Sequence, residues 1–288
     1  MTEIYPSFYF DFQCKAGDCL HTCCKGWEID IDEDTVSYYM KMPGSLGDFI
    51  RSHIVLEDDY VHFALSENGN CPLLMENGLC RLIAEQGEDS ISDICALHPR
   101  FYEEVGAFEL NGLGLSCEKT CELLFQDSSP LMFLLEDSDL LFPFDSLLDL
   151  LKISYNEQQL IFNPALSEKR IEFILSQLAK TEPIDDMWSQ ELNNLRFIFD
   201  HLASSAQEYL PQYDHKLFNK LYQYILFRQL ECLEDCSLQQ LCDFATLSSE
   251  YILIKTALDD AFIEHVIRWS EQIEYSTDNV KLLLESQK

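Results

Sequence analysis

Cysteine is concentrated in the first part of this chain. Nine of the twelve cysteines lie within the first 121 of 288 residues, and they fall into groups. These residues are Cys14, Cys19, Cys23, Cys24, Cys71, Cys80, Cys95, Cys117 and Cys121. Thiols at this density either form disulfides or bind a metal, and both outcomes join distant parts of a chain. We therefore expect sulfur to organise the fold of this region.

The redox compartment distinguishes these two outcomes. The sequence starts MTEIYPSFYF, without the basic segment, apolar segment or small-residue cleavage site of a secretory signal. No apolar run approaches the roughly 18 residues that cross a bilayer. We therefore expect a cytoplasmic protein with no membrane partner. Thiols stay reduced in that compartment, which favours a metal site over a disulfide-stapled extracellular domain.

The charge of the chain excludes one class of partner. There are 51 acidic against 19 basic residues, and the formal net charge is −32. Phosphate groups are repelled by such a surface, so nucleic-acid binding is not expected. An acidic surface serves solubility and can also attract a lysine-rich partner. The hydrophobic content of 47% excludes a disordered chain.

The sequence changes character near residues 126–130, which read QDSSP. We predict a cysteine-cluster module over residues 1–128 and an all-helical domain over residues 129–288. The module is expected to be small and mixed, with short β-hairpins. The predicted fold class is therefore mainly α, of the α+β type. Residues 131–144 are expected to form a connecting element after the boundary.

Two hairpins and one further strand are predicted in the module. Asn77-Gly78 between apolar residues indicates a tight turn that brings Cys71 and Cys80 together. A second strand pair is expected over residues 101–115, turning near Gly106. The alternating residues 60–65 also suit a strand.

Helices are indicated by serine caps and by apolar stripes. The predicted caps are Ser45, Ser116, Ser167 and Ser237, with acids or amides three residues later at Asp48 and Gln240. Apolar residues repeat at helical spacing in the second half of the chain, which predicts helices around residues 171–178, 188–202, 217–225, 241–247 and 262–273. These stripes are typical of core packing.

Eight cysteines are the candidate metal ligands, namely Cys14, Cys19, Cys23, Cys24, Cys71, Cys80, Cys95 and Cys117. Thiolates are soft ligands that suit zinc and iron–sulfur clusters. The first four lie within eleven residues, whereas the later ones are spread, unlike the paired knuckles of a zinc ribbon. Spacing alone leaves iron–sulfur and zinc equally open.

The candidates can be ranked. Adjacent cysteines seldom bind one metal together, so only one of Cys23 and Cys24 is expected to be a ligand. We rank Cys19, Cys23, Cys80 and Cys95 first, followed by Cys24, Cys14, Cys71 and Cys117. Trp27 is expected to cover the site, and His98 to be a packing residue. Cys232, Cys236 and Cys242 are expected to be structural thiols.

Several separated motifs resemble the flagellin lysine N-methylase family, within a broader group of cysteine-rich zinc- or iron-chelating domains. They are Cys14-x4-Cys19-x3-Cys23-Cys24-x-Gly26-Trp27, Cys71-Pro72-Leu73-Leu74, Gly78-Leu79-Cys80, Asp93-x-Cys95-x3-Pro99-Arg100 and Leu115-Ser116-Cys117. The resemblance covers about residues 8–125 and is specific, because the motifs occur in the family's order. Tyr224-x2-Phe227-Arg228 extends it into the helical half.

The resemblance implies a function and two cofactors. It implies transfer of a methyl group from S-adenosylmethionine to lysine side chains of flagellin. It also implies a cysteine-bound iron–sulfur cluster of the 4Fe-4S type, with zinc as the alternative metal. A cluster held by three thiolates leaves one iron that could hold S-adenosylmethionine, whereas a cluster held by four thiolates is structural.

The usual signature of S-adenosylmethionine binding is missing from the sequence. Gly112-Leu-Gly114 is the one candidate for a glycine-rich turn, and it lacks the following strand–helix alternation. The cofactor-binding residues and the catalytic base therefore stay unassigned. The alternative function is a metal-binding or redox-sensing module without catalysis, whose helical domain binds a partner.

Overall fold

A computed structural model describes residues 1–27, 29–57 and 60–286. The chain forms two compact units, one of residues 13–99 and one of residues 1–12 with 100–288. These bounds differ from those of the predicted domains, because residues 100–128 pack with the helical unit. The division into a cysteine-cluster module and a helical domain at residue 128 stays a prediction.

The α-helices of the described residues are α1 (Glu33–Lys41), α2 (Gly44–His53), α3 (Arg81–Gln86), α4 (Asp93–Leu97), α5 (Glu118–Leu124), α6 (Phe144–Leu150), α7 (Glu168–Leu178), α8 (Asp186–Phe197), α9 (Phe199–Tyr209), α10 (His215–Arg228), α11 (Leu238–Asp259), α12 (Phe262–Ile273) and α13 (Thr277–Glu285). The strands are β1 (Thr2–Pro6), β2 (Ile54–Glu57), β3 (Tyr60–Phe63), β4 (Arg100–Val105), β5 (Phe108–Leu113), β6 (Met132–Leu135) and β7 (Phe142–Pro143). The predicted fold class, mainly α with a small β part, is confirmed.

The unit of residues 13–99 has its own apolar core. Helices α1 and α2 and the antiparallel pair β2–β3 enclose it. The buried residues are Ile29, Ile31, Tyr39, Met42, Leu46, Ile50, Phe63, Cys71, Leu73 and Leu82. The strand predicted over residues 60–65 is confirmed as β3. The predicted cap Ser45 is wrong, because α2 begins at Gly44 after Pro43, without a side-chain cap.

The turn predicted at Asn77-Gly78 is confirmed, although its flanks form only one isolated bridge between Leu74 and Cys80. The backbone N–H of Gly78 donates to the Met75 carbonyl at 2.9 Å, and Gly78 has φ +78°, a conformation that glycine adopts without strain. The turn leads directly into α3, which begins after Cys80.

The second unit contains a five-stranded sheet of order β4-β5-β1-β6-β7. The predicted pair over residues 101–115 is confirmed as the antiparallel β4 and β5, which turn at Gly106 with φ +62°. Strand β1 runs parallel to β5 and antiparallel to β6. The prediction did not include β1, and it treated β6 and β7 only as part of a connecting element.

Helices form the rest of this unit. Ser167 and Ser237 cap α7 and α11 as predicted, and Ser237 forms a capping box with Gln240. The predicted cap Ser116 is wrong, because Cys117 occupies the N-cap of α5. The predicted stripe of residues 188–202 is divided between α8 and α9 at Ile198. Among the described residues, no helix is long and apolar enough to cross a membrane.

The second unit has an aromatic-rich core in which α10 and α11 are largely buried. The hydroxyl of Tyr224 on α10 donates to the Leu113 carbonyl at 2.7 Å and accepts from the Leu113 N–H at 2.9 Å. Because Tyr224 satisfies both backbone groups at the end of β5, it fixes the helical layer to the sheet. Cys121 and Cys242 are buried in this core, and Cys232 and Cys236 pack at its edge.

Candidate functional site

Four of the predicted ligands converge in the unit of residues 13–99. Cys71 is a buried member of its core, and Cys24, Cys80 and Cys95 pack against the same core. The four thiols interact electrostatically, since Cys24, Cys95 and Cys80 each contribute to raising the pKa of Cys71. We call Cys24, Cys71, Cys80 and Cys95 the thiol group.

Backbone pairing brings Cys24 to Cys71. The Cys71 N–H donates to the Cys24 carbonyl at 2.8 Å, and the Gly26 N–H donates to the Gly69 carbonyl at 2.9 Å. A bridge between Lys25 and Asn70 completes this short antiparallel ladder. The first cysteine cluster of the sequence is therefore fixed to a segment almost fifty residues later.

Cys80 and Cys95 are held by two short helices. Cys80 is the N-cap of α3, where the N–H groups of Leu82 and Ile83 favour its thiolate, but burial outweighs them and raises the pKa. Cys95 lies in α4, and burial raises its pKa to about 11 despite a hydrogen bond with Ser92. At both positions a hydrogen bond favours the thiolate, but burial outweighs it and keeps the pKa raised.

The thiols differ in their readiness to ionise. Burial raises the pKa of Cys71 to about 12. A hydrogen bond with the adjacent Cys23 thiol lowers the pKa of Cys24 to about 7, although burial opposes this. Metal binding must therefore release protons from the buried thiols, whereas the lowered pKa of Cys24 favours its thiolate form.

The other predicted ligands have different surroundings. Cys14 and Cys23 are exposed, and Cys19 is half-buried at the end of a 3₁₀ helix over Ala16–Asp18. That helix packs on the turn before Cys80, because a Cβ at Gly17 would lie 2.7 Å from the Asn77 carbonyl oxygen. Cys117 belongs to the second compact unit. The ligand assignment stays a prediction.

The donor set fits a soft metal centre by its chemistry. Four cysteine sulfurs in one core match the thiolate sets that hold zinc or iron–sulfur clusters. No three Cys, His, Asp or Glu side chains of the described residues are arranged as they stand to hold a metal ion.

Trp27 and His98 lie near each other in the same unit. Their ring centroids are 6.1 Å apart, and the Trp27 indole N–H donates to the Cys23 carbonyl at 2.7 Å. Burial lowers the pKa of His98 to about 4, so its ring is neutral near neutral pH. A neutral, largely buried ring suits the predicted packing role.

Tyr39 and Asp32 are two functional candidates that the sequence did not reveal. The buried Tyr39 hydroxyl donates to the Ser90 carbonyl at 3.0 Å, and burial together with Cys95, Cys80 and Asp32 raises its pKa far above the usual value. The Asp32 carboxylate accepts the N–H groups of Thr35 at 2.8 Å and Asp93 at 3.0 Å. It therefore joins the starts of α1 and α4.

An acidic groove of about 960 Å³ opens beside these residues. Its lining combines carboxylates, apolar side chains and one tyrosine, and includes Asp30, Asp32, Glu33, Glu57, Tyr60, Asp93 and Ile94. The Tyr60 hydroxyl donates to Glu57 at 3.1 Å. Because Asp93 and Ile94 directly precede Cys95 in α4, the groove and the thiol group share one helix.

Fold and site together define a mainly α protein that carries a cysteine-rich unit with four converging thiols. Known proteins are similar in sequence to the chain. It is 30% identical over 133 residues to a Lysine-N-methylase of Salmonella choleraesuis strain SC-B67. The matched region covers 44% of this chain and 33% of that protein. The corresponding protein of Salmonella typhimurium strain LT2 gives the same identity and coverage.

A third relative is the Flagellar biosynthetic protein FliU of Salmonella muenchen, which is 29% identical over 133 residues, 44% of this chain and 79% of that protein. The resemblance to the flagellin lysine N-methylase family is confirmed by these homologues. The matched region spans about a third of the two Lysine-N-methylases. No family model and no solved structure matches the chain.

Proposed function

We propose that this protein is a protein-lysine N-methyltransferase that acts on flagellin, with S-adenosylmethionine as methyl donor and a cysteine-bound iron–sulfur cluster. One observation carries the proposal. The acidic groove and the thiol group share α4, so a cationic side chain in the groove would lie beside the thiol group. The names of the three relatives support the reaction and the flagellar substrate.

The groove suits a lysine side chain. Its carboxylates attract the ammonium group, and its apolar residues Val36, Val61 and Ile94 suit the methylene stem. Lysine must lose a proton before its nitrogen can attack, because the ammonium form has no lone pair. Asp30 and Glu57 are exposed carboxylates that can accept this proton. The nitrogen then forms a bond to the methyl carbon, while the carbon–sulfur bond breaks and releases S-adenosylhomocysteine.

The thiol group is the proposed binding site of the cluster, with Cys24, Cys71, Cys80 and Cys95 as ligands and zinc as the alternative metal. A bound cluster would supply soft iron centres, and its ligands would link three segments of the unit. A thiolate metal centre requires reduced cysteines, so we propose a cytoplasmic location, where thiols stay reduced.

Incubation of the anaerobically purified protein with flagellin and methyl-labelled S-adenosylmethionine tests the proposal. We expect label on flagellin lysines, located by peptide mass spectrometry, and none on flagellin whose lysines have been chemically acetylated. Unlabelled flagellin after incubation with metal-loaded protein would contradict the proposal.

One observation favours the second candidate, a redox-sensing module. Cys23 and Cys24 form a vicinal thiol pair, and the pKa of Cys24 is lowered to about 7 by the Cys23 thiol. A half-exposed thiolate of this kind reacts readily with oxidants. A protein that retains metal, loses it reversibly on oxidation and leaves flagellin unmodified would support this candidate instead.

A further inference from the structure

Strand β2 leaves one edge of its small sheet open. It pairs with β3 on one side, and no other strand of the described residues lies beside it. The far edge of β3 is covered, because the Ile31 N–H donates to the Val61 carbonyl at 2.7 Å. The Phe63 N–H likewise donates to the Ile29 carbonyl at 3.2 Å. β2 is therefore the edge at which a further chain can extend this sheet.

The register of the β2–β3 pair shows which backbone groups face the open edge. The Ala64 N–H donates to the His53 carbonyl at 2.8 Å, so these two residues form a hydrogen-bonded pair. Hydrogen-bonded and non-hydrogen-bonded pairs alternate along an antiparallel ladder. Leu56 lies three positions after His53, opposite Val61, in a non-hydrogen-bonded pair. The N–H and the carbonyl of Leu56 therefore point away from β3, towards the open edge.

This edge lacks the usual protection against pairing. Proteins commonly block an edge strand with lysine, with proline or with a bulge. β2 instead begins with Ile54, Val55 and Leu56, and its register with β3 is continuous. The Leu56 side chain is 72% exposed. An apolar, unprotected edge of this kind is the surface on which proteins bind extended peptides by strand addition.

The open edge and the acidic groove meet at Leu56 and Glu57, which belong to both. The Leu56 side chain lies on the same face of the β2–β3 pair as Val61 and Phe63, because alternate and directly opposite residues share a face. Phe63 is buried in the core, whereas Leu56 and Val61 line the groove. A side chain directly opposite Leu56 on an added strand would share this face and point into the groove.

The groove favours a lysine at that position. Asp32, Glu33 and Asp93 line it at the starts of α1 and α4, and none of the lining residues that the structure describes is basic. Carboxylates above the apolar Leu56 and Val61 match a lysine side chain, whose stem is apolar and whose end is cationic. An acidic side chain at the same position would be repelled.

We propose that the substrate binds as an added β-strand on the open edge of β2, with its target lysine opposite Leu56 and pointing into the acidic groove. This inference rests on the proposed function, and the substrate it specifies is an extended, lysine-containing segment of flagellin. Backbone hydrogen bonds supply affinity, and the groove selects the lysine. A lysine within a stable helix is a poor substrate, because the helical backbone groups are already bonded to each other.

Binding of synthetic peptides to the metal-loaded, full-length protein tests this binding mode. The probe is a fluorescent peptide of alternating threonine and valine around one central lysine, a composition that favours an extended chain. A second peptide has glutamate in place of the lysine. A further set carries one backbone N-methyl group at each position in turn, which removes a single N–H donor.

We expect the glutamate peptide to bind at least about tenfold more weakly, because the groove repels it. Each N-methyl group should weaken binding by about threefold or more at every second position, where the N–H faces β2, and by less than about twofold at the positions between. The lysine peptide should also slow hydrogen exchange at the Leu56 amide.

Two variants test the same edge from the side of the protein. Leu56→Pro removes the outward N–H and keeps the bonds to β3, since proline is tolerated where the N–H of an edge strand faces solvent. Leu56→Ala shortens the same side chain and keeps the N–H, so it is the matched control. We expect the lysine peptide to bind Leu56→Pro about five- to tenfold more weakly than Leu56→Ala. Thermal unfolding checks that both variants are folded.

A uniform effect of N-methylation along the peptide would overturn strand addition, as would equal affinity of the two folded variants. A wild-type protein that does not bind the lysine peptide would also overturn it. If the proline variant does not fold, the N-methyl series on the wild-type protein decides. Methyl transfer to intact flagellin is measured in parallel. Labelled flagellin keeps the proposed function intact even where strand addition fails, whereas unlabelled flagellin contradicts that function whether or not the peptides bind.

Discussion

The backbone N–H of Cys71 donates a 2.8 Å hydrogen bond to the carbonyl of Cys24. This bond joins the start of the cysteine-rich unit to the segment that leads into α3. Cys80 and Cys95 reach the same core from α3 and α4. The backbone therefore brings the segments of the thiol group to one core.

Replacement of a thiol in this group is expected to remove the metal. Cys71→Ser exchanges a buried sulfur for a hydroxyl, which removes a soft ligand and lowers metal affinity by at least roughly tenfold. Cys236→Ser, at a half-buried thiol of the helical unit, is the control. Iron, zinc and acid-labile sulfide are measured in both variants. Equal metal content in both would contradict the assignment of Cys71.

Tyr39→Phe is expected to destabilise the cysteine-rich unit. The change removes the hydrogen bond to the buried Ser90 carbonyl, which costs about 1–2 kcal/mol in the free energy of unfolding. Tyr38→Phe, at the exposed neighbour on α1, is the matched control. Urea unfolding measures both, and equal midpoints would show that the Tyr39 hydroxyl does not stabilise the fold.

His98 is expected to make stability depend on pH. Its pKa is lowered by burial to about 4, so the unfolded chain, with the ordinary value near 6.5, binds more protons between these limits. The free energy of unfolding therefore decreases as pH falls from about 6.5 towards 4, by about 1–2 kcal/mol near pH 5. His98→Phe should lack this component, whereas His21→Phe, at an exposed position, should retain it. Parallel pH profiles for wild type and His98→Phe would contradict the assignment.

Charge removal in the acidic groove is expected to weaken substrate binding. The double variant Asp30→Asn/Glu33→Gln should raise the KM for flagellin by about three- to tenfold and reduce its dependence on salt, since both side chains attract cations. Glu172→Gln/Glu285→Gln removes the same charge from exposed positions of α7 and α13. If both pairs raise KM equally, net charge and not the groove attracts the substrate.

Local sequence signals predicted much of the helical unit. The capping box of Ser237 and Gln240 sits within one turn, so a few residues determine the start of α11. Ser45 offered a similar signal, but Gly44 adopts φ +79° and α2 begins there, so Pro43 occupies the N-cap position, two residues before Ser45. A glycine that can turn the backbone therefore outweighs a serine that could cap it.

Long-range pairing accounts for what the sequence did not reveal. Strand β1 pairs Ile4 with Leu110 and with Leu135, which are more than a hundred residues away and leave no local trace. The same holds for the thiol group. The sequence ranking places Cys80 and Cys95 among the first four ligands and Cys24 and Cys71 among the last four. The ladder between the segments of Cys24 and Cys71 brings these two residues together, and no local pattern indicates it.

The metal content of the protein tests the central claim most directly. Protein purified without oxygen is to be analysed for iron, acid-labile sulfide and zinc, alongside a variant in which Cys24, Cys71, Cys80 and Cys95 are all serine. We predict a brown protein with iron and sulfide in similar amounts, and neither in the variant. A wild-type protein without iron or zinc, or a variant that keeps the full metal content, would contradict a metal centre formed by the thiol group.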